Sequence, residues 1–232
     1  MLVAVSDADP DQRRIAVAKV AESKRCGEDW AIKGFATIAL LESDPQTRCV
    51  AIRALGRTHD PRAIETCLKI LNSDDYPPAD VRPPDDLCRG DTTGVLADLV
   101  GEVPDRLRDK VRETFLKELK QAPDRESRIA AARGLQAFPR PEVVDALIAG
   151  LRDDDFAVVY QCEVSLAWLT GVTHNCDAYQ WSQWVEAHAG HLFDHGGRLP
   201  EGLRRPYEGR WDRLAYQSKE FFRWLIPGAK EK

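Results

Sequence analysis

Residues Asp124 to Asp155 read DRESRIAAARGLQAFPRPEVVDALIAGLRDDD, and the chain has already spelled this pattern eighty positions earlier, from Asp44 to Asp75, as DPQTRCVAIRALGRTHDPRAIETCLKILNSDD. Laid over one another without a gap, the two share Asp44/Asp124, Arg48/Arg128, Ala51/Ala131, Arg53/Arg133, Leu55/Leu135, Pro61/Pro141 and Leu71/Leu151, and both close on paired aspartates. Each copy reads as a helix hairpin. Thr47, Ala51, Ala54, Leu55 and Thr58 fall on one face of a 3.6-residue period, and Ser127, Ala131, Gly134, Leu135 and Phe138 repeat it. Asp44 and Asp124 stand where an N-cap carboxylate accepts the free first-turn amides, and Pro61 and Pro141 suit the first turn of a second helix. That helix then buries Ile64, Leu68 and Leu71, or Val144, Ile148 and Leu151. Two short helices enclose no core alone, so each hairpin must stack on its neighbours, and the predicted fold is all-α, an α-α superhelix or solenoid.

The pattern D-x3-R-x2-A-x3-L, a loop with D-P or a late proline, and an amphipathic helix ending in L-x-D-D resembles HEAT repeats, in particular the bacterial phycobilisome-lyase-type HEAT-like repeats. The resemblance covers the two clear copies well and most of residues 9 to 189 more loosely. It implies a protein-binding superhelix of the scaffold or adaptor kind and brings no catalytic residue with it. A runner-up also follows from it, because lyase subunits with such repeats attach or remove bilin chromophores. A tetrapyrrole site would then draw on His174, Cys176 and the tryptophan helix beyond them.

The rest of the chain extends this frame. Asp9-Pro10-Asp11-Gln12-Arg13 with Ala16 and Val20 repeats the Asp44 motif at an offset of 35, and a second helix from about Asp29 to Leu41 would place Trp30, Ile38 and Leu41 inside. No polar cap precedes this hairpin, so either the native chain starts upstream of Met1 or something covers the exposed end. The stretch from Asn72 to Asp91 holds four prolines and six aspartates and reads as a long loop inserted between repeats, with Tyr76 as its aromatic contact candidate. It lacks the D-x-D-x-D-G register of a calcium loop. Thr92 to Val100 and Pro104 to Gln121 form a third hairpin with Leu107, Val111, Phe115 and Leu119 in an i+4 ladder. A fifth unit opens at Asp154-Asp155 and buries Val158, Cys162, Ser165, Leu166 and Leu169 in a helix that is apolar nearly all round. Its partner starts at Asp177, carries Trp181, Trp184, Val185 and His188 on one stripe, and stops at Gly190. The two tryptophans read as a closing wedge, with an aromatic ligand cage as the alternative.

Past Gly190 the character changes. From Arg198 to Lys232 there are nine Lys and Arg against five Asp and Glu, and Tyr207 to Ile226 reads as a basic amphipathic helix bearing Trp211, Phe222 and Trp224. It serves as a cap folded back on the acidic array, as a partner-binding helix, or, least favoured, as an interfacial membrane helix. The division is therefore 9–189 for the solenoid, with 72–91 as its inserted loop, and 190–232 for linker and tail.

Composition narrows the function classes. A net charge of −5 offers no basic footprint for nucleic acid. No apolar run reaches the roughly 18 to 20 residues that span a bilayer, and the acidic opening MLVAVSDAD is no secretory signal. The six cysteines never occur as C-x-x-C and read as buried thiols of a reducing compartment, which favours the cytoplasm. His188, His191 and His195, with Asp194 among them, are ligand types for zinc, but match no zincin spacing and read as a solvated linker. No nucleophile elbow or phosphate loop is present, and no cofactor, metal or small-molecule substrate is inferred. The resemblance to HEAT-like arrays implies that Arg48 and Arg128 belong to an inter-repeat ladder with aspartates of the inter-helix turn, here Asp60, although the second copy has Arg140 at that place. The leading function is a non-catalytic scaffold for another protein, with Arg53, Arg133, Tyr76, Trp211, Phe222 and Trp224 as contact candidates.

Overall fold

The computed structural model describes residues 7–73, 81, 83–200 and 203. Among them are ten α-helices and no strand: α1 (Pro10–Glu22), α2 (Asp29–Leu41), α3 (Pro45–Gly56), α4 (Pro61–Leu71), α5 (Asp86–Asp98), α6 (Asp105–Gln121), α7 (Arg125–Gly134), α8 (Pro141–Gly150), α9 (Phe156–Thr170) and α10 (Ala178–Ala187). They pair into five hairpins. Aspartate starts most of them: Asp9, Asp44, Asp60, Asp85, Asp124, Asp155 and Asp177 each accept a first-turn amide, as in Thr47 N to Asp44 Oδ2 at 2.7 Å and Ser127 N to Asp124 Oδ1 at 2.7 Å. Gly171, at φ +78°, ends α9 in the left-handed region.

The hairpins stack in two layers. First helices pack on one another in the order α1, α3, α5, α7, α9, and each also lies against the second helix of the preceding hairpin. Their facing residues are small: Thr47, Ala51, Ala54, Thr92, Thr93, Ser127, Ala131 and Ser165 are all buried. The second helices α2, α4, α6, α8 and α10 bury bulkier side chains such as Phe35, Ile64, Leu68, Phe115 and Leu147, and approach one another less closely. A layer whose elements are closer together lies on the inner side of a curved stack, so α3, α5 and α7 line the inner face. Gly134 marks how tight the fit is: a Cβ there would stand 2.5 Å from the ring of Phe115, itself fully buried on α6.

A ladder of arginines ties the helices together: Arg13, Arg89 and Arg128 bond acids of their own hairpin, and Arg48 and Arg128 bond carbonyls of the hairpin before. Arg13, Arg48, Arg89 and Arg128 each sit four residues after an N-cap aspartate. Arg13 forks onto Glu42 at the end of α2 with two bonds of 2.9 Å, and Arg128 onto Asp153 after α8 at 2.7 and 3.1 Å. Arg89 reaches Glu118 on α6 at 2.9 Å, with the carboxylate side chain 1% exposed. Arg48 donates to the Ala39 carbonyl near the end of α2 at 2.7 Å and to the Pro83 carbonyl at 2.8 Å, while Arg128 also donates to Ala122 O at 3.0 Å. The Arg48 and Arg128 guanidiniums thus meet carbonyls at helix C-termini, where positive charge is favourable.

This geometry corrects several expectations. The ladder runs to acids and carbonyls beyond the second helix, whereas Asp60 caps α4 and binds Arg62 at 2.7 and 2.9 Å. The inserted loop does not extend to Asp91, because α5 begins at Asp86; Asp85 is its cap, accepting Cys88 N at 2.9 Å, and Arg89 is the third rung of the ladder. Counting Asp85, Asp86 and Asp91 as loop-formers hid the same D-x3-R spacing found in the first, second and fourth hairpins. In the first hairpin Ile38 is buried, but Trp30 and Leu41 are 39% and 49% exposed. They sit at the two ends of α2, and its core face is Ala31, Ile32, Phe35, Ile38 and Ala39. The C-terminal basic helix expected from the sequence lies outside the described residues.

Candidate functional site

Arg53 and Arg133 occupy the same repeat position, nine residues after the N-caps of α3 and α7, and both emerge on the inner layer on either side of α5. Arg53 pairs with Asp91 at 3.6 Å, and Arg133 pairs with Asp98 at 2.8 Å and donates to the Gly94 carbonyl at 3.4 Å. Their side chains remain 56% and 42% exposed, so these contacts are weak anchors and the guanidiniums stay available. The position of α5 equivalent to the two arginines is Gly94, and a Cβ there would meet nothing within 4 Å. Two arginines therefore flank a recess floored by backbone.

Arg53 also borders a cavity of about 400 Å³, lined besides by Gly56, Arg57, His59, Val95, Asp98 and Leu99. Val95 and Leu99 are 8% and 2% exposed and form an apolar floor; Arg53, Arg57 and Asp98 form a charged rim. Gly56 is required at this wall, since its Cβ would lie 2.7 Å from Val95. His59 stands at φ +54° and its Nδ1 meets Glu102 at 2.6 Å across the seam. An apolar floor with oppositely charged groups around it suits a side chain of a bound polypeptide.

The end of the array is built differently. Glu163, fully buried on α9, accepts Thr173 Oγ1 at 2.5 Å, the amides of His174, Asn175 and Cys176 at 3.0, 3.1 and 3.0 Å, and Trp181 Nε1 at 2.6 Å. Asn175 and Cys176, at φ +53° and +65°, turn those successive amides toward the carboxylate. Trp181 is fully buried, His174 meets it edge-on at 4.7 Å, and Trp184 carries His188 stacked at 4.5 Å. Burial raises the half-buried Cys176 thiol above its ordinary value, helped by the Glu163 charge. The space an aromatic cage would need is filled by the chain's own groups. Sequence reasoning passed over Glu163; its signal was a lone carboxylate in a helix otherwise apolar all round.

The histidine cluster is dispersed. His188 stacks on Trp184 and bonds its carbonyl at 2.8 Å, while His191 pairs with Asp194 at 3.0 Å. Among the described residues no three His, Cys, Asp or Glu side chains gather as metal ligands, and no helix is long and apolar enough to cross a membrane. Tyr76, Trp211, Phe222 and Trp224 lie outside the described residues. Of the sequence candidates, the structure brings together Arg53 and Arg133, around α5 residues that sequence reasoning had not selected.

Comparison with known proteins gives a coarse result. A family model described as HEAT repeats matches residues 112–175, from the middle of α6 to the loop after α9. No curated protein matches the chain. Among solved structures, an engineered protein from the Northeast Structural Genomics Consortium is 18% identical, with 86% of this chain and 97% of that one covered and a TM-score of 0.46. The family match joins the packing of the ten helices: the chain is an α-solenoid, and its residues 112–175 support a HEAT-repeat assignment.

Proposed function

We propose that this chain is a non-catalytic scaffold that holds another protein on its inner helix layer, with the recess over α5 as the centre of contact. The observation that carries the reading is Arg53 and Arg133, equivalent by repeat position, standing half-exposed on both sides of an open glycine surface. Arginine on a rim beside an apolar floor is the composition of interface anchors, able to exchange an intramolecular carboxylate for one on a partner. The lyase-type reading of the repeats gains no support from the tryptophan helix, whose indole and loop amides are engaged by Glu163.

The test uses the full chain, captured with its partners from source-cell lysate, beside a Gly94→Trp variant and an Arg53→Glu/Arg133→Glu double variant. Gly94→Trp starts from a Cβ with nothing within 4 Å and adds bulk to the recess, and circular dichroism checks that the variant is folded. Partners lost from both variants, but kept by a Glu113→Lys control on α6, support the inner-face reading. A set of partners retained by all of them refutes it.

A further inference from the structure

Where α3 crosses α5, the sulfurs of Cys49 and Cys88 stand 3.4 Å apart, with the residues 1% and 0% exposed. They are 39 residues apart in sequence and belong to the second and third hairpins, so this contact bridges the seam that the longest loop of the array leaves uncovered by short connection. The Cys88 sulfur also lies 3.6 Å from the Pro45 carbonyl in the first turn of α3. Of the other cysteines, Cys67 and Cys162 are buried and Cys26 and Cys176 half-buried. The two helices are held close by small neighbours, Ala51 and Thr92 among them, so the sulfurs cannot drift apart without opening the seam. Bond formation asks them to approach by only about 1.4 Å, to the roughly 2.05 Å of a disulfide.

We propose that Cys49 and Cys88 form a peroxide-oxidisable dithiol whose disulfide clamps the second hairpin to the third. Hydrogen peroxide, little larger than water, reaches the pair through the local openings of the seam. One sulfur, that of Cys88, attacks a peroxide oxygen; the O–O bond breaks, water leaves, and a sulfenic acid forms. The Cys49 sulfur then attacks the Cys88 sulfur, the S–O bond breaks and a second water leaves with the Cys49 proton. Two thiols and one peroxide thus give one disulfide and two waters, with two electrons passing from sulfur to oxygen. Cys49 is the resolving partner because its proton is held back: the neighbouring Cys88 sulfur, burial and the Asp91 carboxylate all raise its pKa. The clamp lies directly beside the Arg53–Asp91 pair, yet its chemistry does not depend on whether the recess binds a partner.

The experiment treats the reduced full chain with hydrogen peroxide from equimolar to tenfold, quenches with catalase, and counts thiols in denaturant. The expected count falls from six to four, the intact mass drops by two hydrogens, and a non-reducing tryptic map joins the Cys49 and Cys88 peptides. The thermal midpoint rises by several degrees and returns on reduction, because the bond closes a long loop in the unfolded chain. Cys88→Ser keeps all five remaining thiols under the same treatment, whereas Cys49→Ser loses the Cys88 thiol to an unresolved sulfenic acid that dimedone traps and forms no intramolecular cross-link; where a serine variant fails to fold, judged by circular dichroism, the wild-type map decides. Six thiols surviving tenfold peroxide, sulfinic acid on Cys88 without a cross-link, or cross-links through Cys26 or Cys176 would overturn the proposal.

Discussion

Replacing Glu163 by alanine tests how the array is closed. The carboxylate accepts five hydrogen bonds, from the Thr173 hydroxyl, three consecutive amides and the Trp181 indole, of which only the Asn175 amide has a second acceptor, Thr173 Oγ1 at 3.3 Å. A buried donor left unsatisfied costs about 1 to 3 kcal/mol. The three amides and Thr173 sit in a half-buried loop that admits water, whereas the Trp181 indole is fully enclosed, so the Glu163→Ala loss is about 4 kcal/mol rather than five full penalties. For a chain of this size that corresponds to about 8 to 16 °C in the midpoint of the unit affected. Glu163→Gln keeps the length but turns one acceptor into a donor facing other donors, and loses about half as much. Solenoid units unfold against their nearest neighbours, so α10 and its loop release first. The assay is a thermal melt followed in parallel by tryptophan fluorescence and far-ultraviolet circular dichroism. Glu163→Ala should split the two, the indole signal of Trp181 shifting to the red ahead of helix loss. Coincident transitions within a degree of the wild type would show that the closing hairpin is held by apolar packing alone.

Two glycines in inner-layer helices should respond to alanine with opposite signs. Gly94→Ala adds a methyl to open space inside α5 and should stabilise by about 0.5 to 1 kcal/mol, while Gly134→Ala drives a methyl against the Phe115 ring and should destabilise by about 1 to 3 kcal/mol, both read from urea midpoints. Arg89→Ala removes the guanidinium bonded to the buried Glu118 carboxylate and should lose about 3 to 5 kcal/mol, whereas Arg53→Ala, at an exposed and longer ion pair, should change stability by less than about 1 kcal/mol. The pKa of Asp60 is lowered chiefly by the Arg62 side chain, and those of Asp155 and Asp177 chiefly by the backbone amides they cap. Depressed folded values mean stability that is present above the ordinary carboxylate range and lost as pH falls through them. The urea midpoint should therefore hold from pH 7 to about 5 and decline below about 4, and a midpoint that rises on acidification would contradict the capping role.

The sequence by itself determined the architecture, because repetition is visible without coordinates. The Asp44 and Asp124 copies name caps, prolines and apolar faces that recur as α3/α4 and α7/α8, and the period forbids a self-contained hairpin. It also marked Arg53 and Arg133 as equivalent, since equal offsets within a repeat become equal places on a layer. Which partners those residues meet was decided by tertiary structure. The ladder arginines reach acids 25 to 29 residues away whose positions depend on how the two helices of a hairpin fold back on each other, and the third rung was hidden within an aspartate-rich stretch where cap and loop compositions coincide. Val95 and Leu99 became the floor of a cavity because α5 packs beside the arginine-bearing α3, and Glu163 became a keystone because the chain returns to it from Thr173 onward. Periodicity records which face of a helix is covered; it carries no record of what covers it, and the charged and aromatic groups of this protein take their roles from that neighbour.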